Sequence, residues 1–322
     1  MVRTTLAALP GLLFLAPVVA APLPKPRPPD TFLVQTIGGL QFLGADGKEK
    51  ERLEPWASGA AMSPDGRWLA AVELDKEQGQ CIFVLRPRGR AGESIIVPHL
   101  FGELGRSGSE VVWAANSDRL LLGEERVPRK GPREYAHRIY SLATKSTTDV
   151  KLAYGCWVTG WSSDGKRFLA TMSVDDGAPR VAWLAADGSG KPEYITAADE
   201  IAYRGRLSGD GTKVLCMVGP KKETRESERL TAIDLATGRR TVVDEPGSTH
   251  GYCWSPDGSQ IAYTWQRPLK ESNDIKQRET FLITCSADGK DRKTITRRKY
   301  ELHPRDKDAA SVVFFFTVVD WR

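Results

Sequence analysis

Met62-Ser63-Pro64-Asp65-Gly66-Arg67-Trp68-Leu69 decides the fold, because it recurs as Trp254-Ser255-Pro256-Asp257-Gly258-Ser259-Gln260-Ile261. Trp161-Ser162-Ser163-Asp164-Gly165-Lys166-Arg167-Phe168 and Leu207-Ser208-Gly209-Asp210-Gly211-Thr212-Lys213-Val214 keep the pattern, and Trp113 to Leu120 keeps it with Asn116-Ser117 in place of Asp-Gly. An apolar residue stands seven positions after the first in every copy. The physical reading is a hairpin: a strand ends at the leading residue, Ser-Pro-Asp-Gly turns, and a strand such as Leu69-Ala70-Ala71-Val72 runs back. Proline presets φ, aspartate hydrogen-bonds nearby backbone, and glycine takes the positive φ that would strain other residues.

A second signal follows each turn at a steady offset: Leu184-Ala185-Ala186-Asp187-Gly188, Ile233-Asp234-Leu235-Ala236-Thr237-Gly238 and Thr284-Cys285-Ser286-Ala287-Asp288-Gly289. Two hairpins make four strands per unit. The leading positions 62, 113, 161, 207 and 254 lie 51, 48, 46 and 47 residues apart, the spacing of four-stranded propeller blades, which repeat every ~40–50 residues. Helical solenoids need a 3.6-residue stripe, and these β-rich segments broken by Gly and Asp have none. The ends supply a sixth unit. Phe314 to Trp321 reads as a leading strand without its hairpin partner, while Phe32 to Ile37 and Leu40 to Gly47 supply the remainder. Pairing the last strand with the first closes the ring and leaves no open edge. The expectation is an all-β, six-bladed propeller over residues 31–322, four antiparallel strands to a blade.

These turns and hairpins resemble the TolB-type propeller repeat, also found in the propeller domains of prolyl-oligopeptidase-like proteins. The resemblance covers nearly all of Thr31 to Arg322. It implies an interaction role in the cell envelope, although the architecture hosts many unrelated activities.

Composition agrees with a globular body: 40% of the 322 residues are hydrophobic and 27% charged. The net charge of +5 is interspersed rather than striped, which gives no support for nucleic acid binding. Arg3 followed by the apolar run Leu6 to Val19 and the small residues Val18-Val19-Ala20 reads as a secretory signal over residues 1–20. Residues 21–30, with prolines at 22, 24, 26, 28 and 29, read as a stiff linker. The expected location is periplasmic or secreted, with no membrane anchor after signal cleavage and a monomeric body. Cys81, Cys156, Cys216, Cys253 and Cys285 are an odd, widely spaced set without C-x-x-C, read as small buried side chains, with one or two disulfides open in an oxidising compartment.

No G-x-S-x-G occurs; the nearest fragment, Gly105 to Ser109, lacks the final glycine. An oligopeptidase would also need a hydrolase domain beside the propeller, and residues 31–322 leave no room for one. Asp65, Asp164, Asp210 and Asp257 fall one to a blade, so turn formation explains them better than a calcium site. The repeated tryptophans 113, 161, 254 and 321 read as packing between blades. The expected binding groups lie on the funnel face. His250 immediately precedes the strand of Trp254, with Tyr154, Tyr203 and Arg204 in comparable loops and Glu73, Glu124 and Asp175 as loop acids near the axis. The charged stretches 124–138 and 267–279 read as insertions projecting on that same face. Together these residues suggest a non-enzymatic module that binds a protein, peptide or glycan without metal or cofactor. The competing class is a hydrolase or lyase acting on glycans from the funnel face, which would need two placed carboxylates.

Overall fold

The Ser-x-Asp-Gly turns form closed local networks. Ser63 Oγ donates to Asp65 Oδ1 at 2.6 Å, Asp65 accepts from the Arg67 amide at 3.0 Å, and Ser63 Oγ accepts from the Trp68 amide at 2.9 Å. The copies at Ser162, Ser208 and Ser255 repeat these contacts. The hydrogen bonds from Ser162 and Ser255 hold the carboxyls of Asp164 and Asp257 below the usual range, so these aspartates are committed to the turns. In the departing copy Ser117 takes the left-handed backbone (φ 61°) where the others have glycine. Its hydroxyl accepts from the Asp65 amide of the neighbouring turn at 3.0 Å, so the side chain lost from the repeat pattern links two blades.

The structure is a computed structural model that describes residues 31–321 except 37–38, 54–56, 76–79, 89–92, 98–108, 127–133, 154, 174–177, 222–226, 245–247, 272–275 and 303–315. The segments expected as signal and linker lie outside the described residues. Blade 1 holds β1 (Thr31–Thr36), β2 (Gly39–Gly44) and β3 (Glu49–Leu53). Blade 2 is β4 (Ala57–Met62), β5 (Trp68–Asp75), β6 (Gln80–Pro87) and β7 (Ile95–Val97). Blade 3 is β8 (Ser109–Trp113), β9 (Arg119–Arg126), β10 (Glu134–Ser141) and β11 (Ser146–Val150). Blade 4 is β12 (Cys156–Trp161), β13 (Arg167–Ser173), β14 (Pro179–Ala185) and β15 (Glu193–Tyr194). Blade 5 is β16 (Glu200–Leu207), β17 (Lys213–Pro220), β18 (Arg229–Asp234) and β19 (Arg240–Val242). Blade 6 is β20 (Ser248–Trp254), β21 (Gln260–Glu271), β22 (Lys276–Ser286) and β23 (Lys293–Leu302), and β24 (Phe316–Trp321) returns to complete blade 1.

Six four-stranded antiparallel sheets result, and their innermost strands touch in the cyclic order β24, β4, β8, β12, β16, β20 and back to β24. This is a six-bladed β-propeller. The closure is the one anticipated: β24 pairs antiparallel with β1, Phe32 opposite Trp321, and their rings lie 4.8 Å apart. Among the described residues, six buried apolar clusters form the core, each spanning two adjacent blades. A twisted sheet has two apolar faces to cover, and the ring covers both with its neighbours. Trp113 and Trp254 donate their indole N–H across the seam to the carbonyls of Ala61 (3.1 Å) and Arg206 (3.0 Å), as their repeat positions suggested. Cys156, Cys216, Cys253 and Cys285 are buried thiols that form no disulfide among the described residues. Burial pushes those of Cys216 and Cys285 up to about 12.

Two expectations are corrected. The stretches 124–138 and 267–279 are largely strand: β9 and β10 pair from Arg119 opposite Ser141 to Arg126 opposite Glu134, and β21 and β22 from Gln260 opposite Ser286 to Glu271 opposite Lys276. Charge did not exclude a pleated sheet because opposite charges meet across it. Arg267 stands opposite Glu279, with Nη2 2.7 Å from its carboxylate.

Candidate functional site

An innermost strand has a blade on either side and its second strand along the outer edge, so a side chain exposed at mid-strand reaches solvent through the central channel. Four of these strands break register with their partner between the leading residue and the far end, and β24 does so against β1. A bulge re-aims side chains that regular alternation would bury.

The widest breaks are in β4, between Ser58 and Ala61, and in β16, between Tyr203 and Arg206. Arg204, in the β16 break, is exposed and sits in the left-handed region at φ 56°. In β4 the residue at the same offset from the lead is Gly59, φ 58°, and glycine adopts this backbone without cost, whereas another residue loses ~1–2 kcal/mol. Surrounding contacts hold the arginine there. Its amide donates to Thr171 Oγ1 at 2.9 Å, its carbonyl accepts from the Tyr252 hydroxyl at 2.8 Å, and its Nη1 donates to the His250 carbonyl of blade 6 at 3.2 Å.

His250 is itself the extra residue of the β20 bulge, between the pairs Thr249 opposite Trp265 and Gly251 opposite Thr264. Burial is the main influence lowering its pKa, a hydrogen bond with Gln266 opposes it, and the charges of Arg204 and Arg278 add to the lowering. The imidazole is therefore neutral at pH 7. In the interval below its ordinary value of 6.5, the unfolded chain takes a proton that the folded chain refuses. Stability therefore falls as pH drops through that interval. The expected result is that His250→Gln loses less stability than the parent between about pH 7.5 and about pH 5.5, measured by denaturant unfolding.

Nearby carboxylates are committed. The Tyr203 hydroxyl donates to Glu228, which is buried. Asp244 accepts from the Leu230 amide at 2.9 Å and the Thr249 hydroxyl at 2.7 Å, while burial raises its pKa. What the arrangement offers a ligand is an exposed guanidinium beside a neutral imidazole, suited to an anionic group such as a carboxylate.

His250, Tyr203 and Arg204 thus come together across the seam of blades 5 and 6, although all three lie within strands and not in loops: tertiary pairing extended β16 and β20 past the points where the local sequence reads as loop. Glu73 and Glu124 do not join them. They sit on β5 and β9, second strands of their blades, buried in ion pairs: Glu73 takes Arg86 through two bonds of 2.7 and 2.6 Å, and Glu124 takes Arg138 at 2.6 Å. A carboxylate one strand back from the axis finds its arginine on the adjacent strand. Tyr154 and Asp175 lie outside the described residues. Among the described residues no group of three His, Cys, Asp or Glu side chains is placed to hold a metal.

Sequence reasoning missed Glu110, a buried carboxylate on β8 that accepts from the Val158 amide of β12 at 2.8 Å and lies 3.6 Å from His137 Nε2. Its one signal was a charge inside the apolar run Ser109 to Trp113. Tyr252, Glu228 and Asp244 were also missed. Their roles depend on contacts between elements distant in sequence.

No family model and no curated protein matches the chain. Solved structures do. TolB from Acinetobacter baumannii matches at 16% identity and TM-score 0.57 over 84% of this chain, which spans 63% of that protein's length. An oligogalacturonate lyase from Vibrio parahaemolyticus matches at 12% identity and TM-score 0.54, over 83% of this chain and 79% of that one. A puromycin-hydrolysing peptidase from Mycobacterium tuberculosis matches at 14% identity and TM-score 0.53, over 83% of this chain and 44% of that one. At these identities the likeness is one of fold.

Proposed function

We propose that this chain is an exported, non-enzymatic propeller of the cell envelope, periplasmic or secreted, whose funnel binds an acidic segment of a protein or peptide partner. The observation that carries the reading is Arg204: a charged side chain held in a backbone conformation that costs stability, on an innermost strand, with its guanidinium exposed beside His250. Strain retained at an exposed position points to use. The leader-like segment from Arg3 to Ala20 supports export, and the TolB likeness is consistent with a module that works by association. Commitment of Glu73, Glu124 and Glu228 to ion pairs and hydrogen bonds leaves them poorly suited to paired acid and base work on a glycan.

The test combines stability and binding. Arg204→Gly relieves the backbone, so its unfolding free energy is expected to match the parent or exceed it by up to ~1 kcal/mol. Affinity for carboxylate-rich peptides, read by fluorescence anisotropy, is expected to fall at least about tenfold, or ~1.4 kcal/mol. Oligogalacturonate, aryl glycosides and peptide amides are incubated in parallel with the parent protein. Turnover that disappears in His250→Ala would establish an enzyme instead, and peptide affinity unchanged by Arg204→Gly would remove the guanidinium from the site.

A further inference from the structure

Blade 6 differs from the other five in length and charge. The outermost strands β3, β7, β11, β15 and β19 have five, three, five, two and three residues, whereas β23 has ten. Short edge strands are one way a sheet avoids pairing with foreign chains. β23 lacks that protection, and among the described residues no strand lies beyond it in the sheet. The turn of blade 1 presses on its first half, since a side-chain carbon added to Gly47 would come within 2.5 Å of the Ile295 carbonyl. From Arg297 to Leu302 the strand continues past that contact, about the length of an average strand.

Charge gathers on the same strip. Residues 265–302 hold ten lysines and arginines against six aspartates and glutamates, an excess of four in a chain whose whole excess is five. Part of this is internally neutralised, as Arg267 pairs with Glu279 and Lys290 with Asp288. Arg298 faces blade 1 and donates to Gln41 at 3.2 Å. Lys293, Arg297 and Lys299 are exposed, and among the described residues none has an ion-pair partner. Arg297 and Lys299, two residues apart, project from one face of the edge.

We propose that the outer edge of blade 6, over Arg297 to Leu302, is a docking strand for an extended acidic segment of a partner protein, which joins the sheet as a fifth strand. Main-chain hydrogen bonds supply the pairing, and Arg297 and Lys299 select alternating carboxylates on the incoming chain. Cations on an edge also discourage self-association, and they do so while admitting a chain of opposite charge. The site is separate from the funnel.

The experiment uses a fluorescein-labelled peptide alternating Glu with Val or Thr, the same peptide N-methylated at every second amide, and the full-length protein as parent, Arg297→Glu/Lys299→Glu and Arg204→Gly. N-methylation keeps every charge but removes one row of donors. The parent peptide is expected to bind, weaken at least about tenfold on N-methylation and again on the double charge reversal, and slow amide exchange in β23. In Arg204→Gly, which disables the funnel, the peptide is still expected to slow amide exchange in β23, and this local readout separates the edge from the funnel. A methylated peptide that binds as well as its parent, affinity indifferent to the charge reversal, or no binding at all would overturn the proposal. Matching thermal melts of parent and double variant exclude misfolding as the cause.

Discussion

Replacing Trp321 by alanine is expected to lower unfolding stability by ~3–5 kcal/mol, the range for a large aromatic removed from a packed core. Trp321 is 3% exposed, packs with Phe32, Val318, Cys253 and Leu282, and so joins blade 1 to blade 6 as well as the end of the chain to its beginning. Every other blade is continuous in sequence; blade 1 is joined across its seam by the pairing of β24 with β1 and the packing of Trp321 on Phe32. Chemical denaturation measures the loss, and Ile96→Ala, at an exposed outer position, serves as the control within ~0.5 kcal/mol. Among the described residues the indole N–H of Trp321 has no acceptor, whereas that of Trp254 bonds the Arg206 carbonyl. Trp321→Phe should therefore be milder than Trp254→Phe by ~0.5–1.5 kcal/mol, the worth of one hydrogen bond. Amide exchange in β24 and β1 should be faster than in β17 and β18 if the clasp is the first seam to open.

Glu124→Gln should cost ~3–5 kcal/mol, because it neutralises the carboxylate that the buried guanidinium of Arg138 contacts. The two side chains are 5% and 7% exposed, and their atoms approach to 2.6 Å. Replacing both, as Glu124→Leu with Arg138→Met, should recover most of the loss, since an apolar pair avoids desolvating either charge. The same cycle at Glu73 and Arg86 should give a smaller coupling, because Arg86 is 39% exposed and water screens the pair. Were Glu124 a working carboxylate of the funnel instead, Glu124→Gln would alter ligand handling and leave the unfolding midpoint in place.

The architecture was legible because a propeller writes itself locally. Each Ser-x-Asp-Gly turn is satisfied by hydrogen bonds spanning two to five residues, so its composition carries the hairpin wherever it occurs, and its spacing counts the blades. Even the closure was implied, since a leading strand at Trp321 without a hairpin partner matches a hairpin at Phe32 without a leading strand. The functional face was legible only in part. His250, Tyr203 and Arg204 were placed on the right strands' approaches, but their grouping arises from the bulges of β16 and β20, which have no composition of their own. The charges of Glu73 and Glu124 read as solvent-facing because their arginines lie 13 and 14 residues away along the chain, across a hairpin whose register only folding sets. Repeat number, strand order and turn chemistry thus came from the sequence by itself. Which charges are buried, which strand outruns its neighbours and which backbone is strained were decided by the tertiary structure, because each depends on contacts between residues that local pattern does not relate.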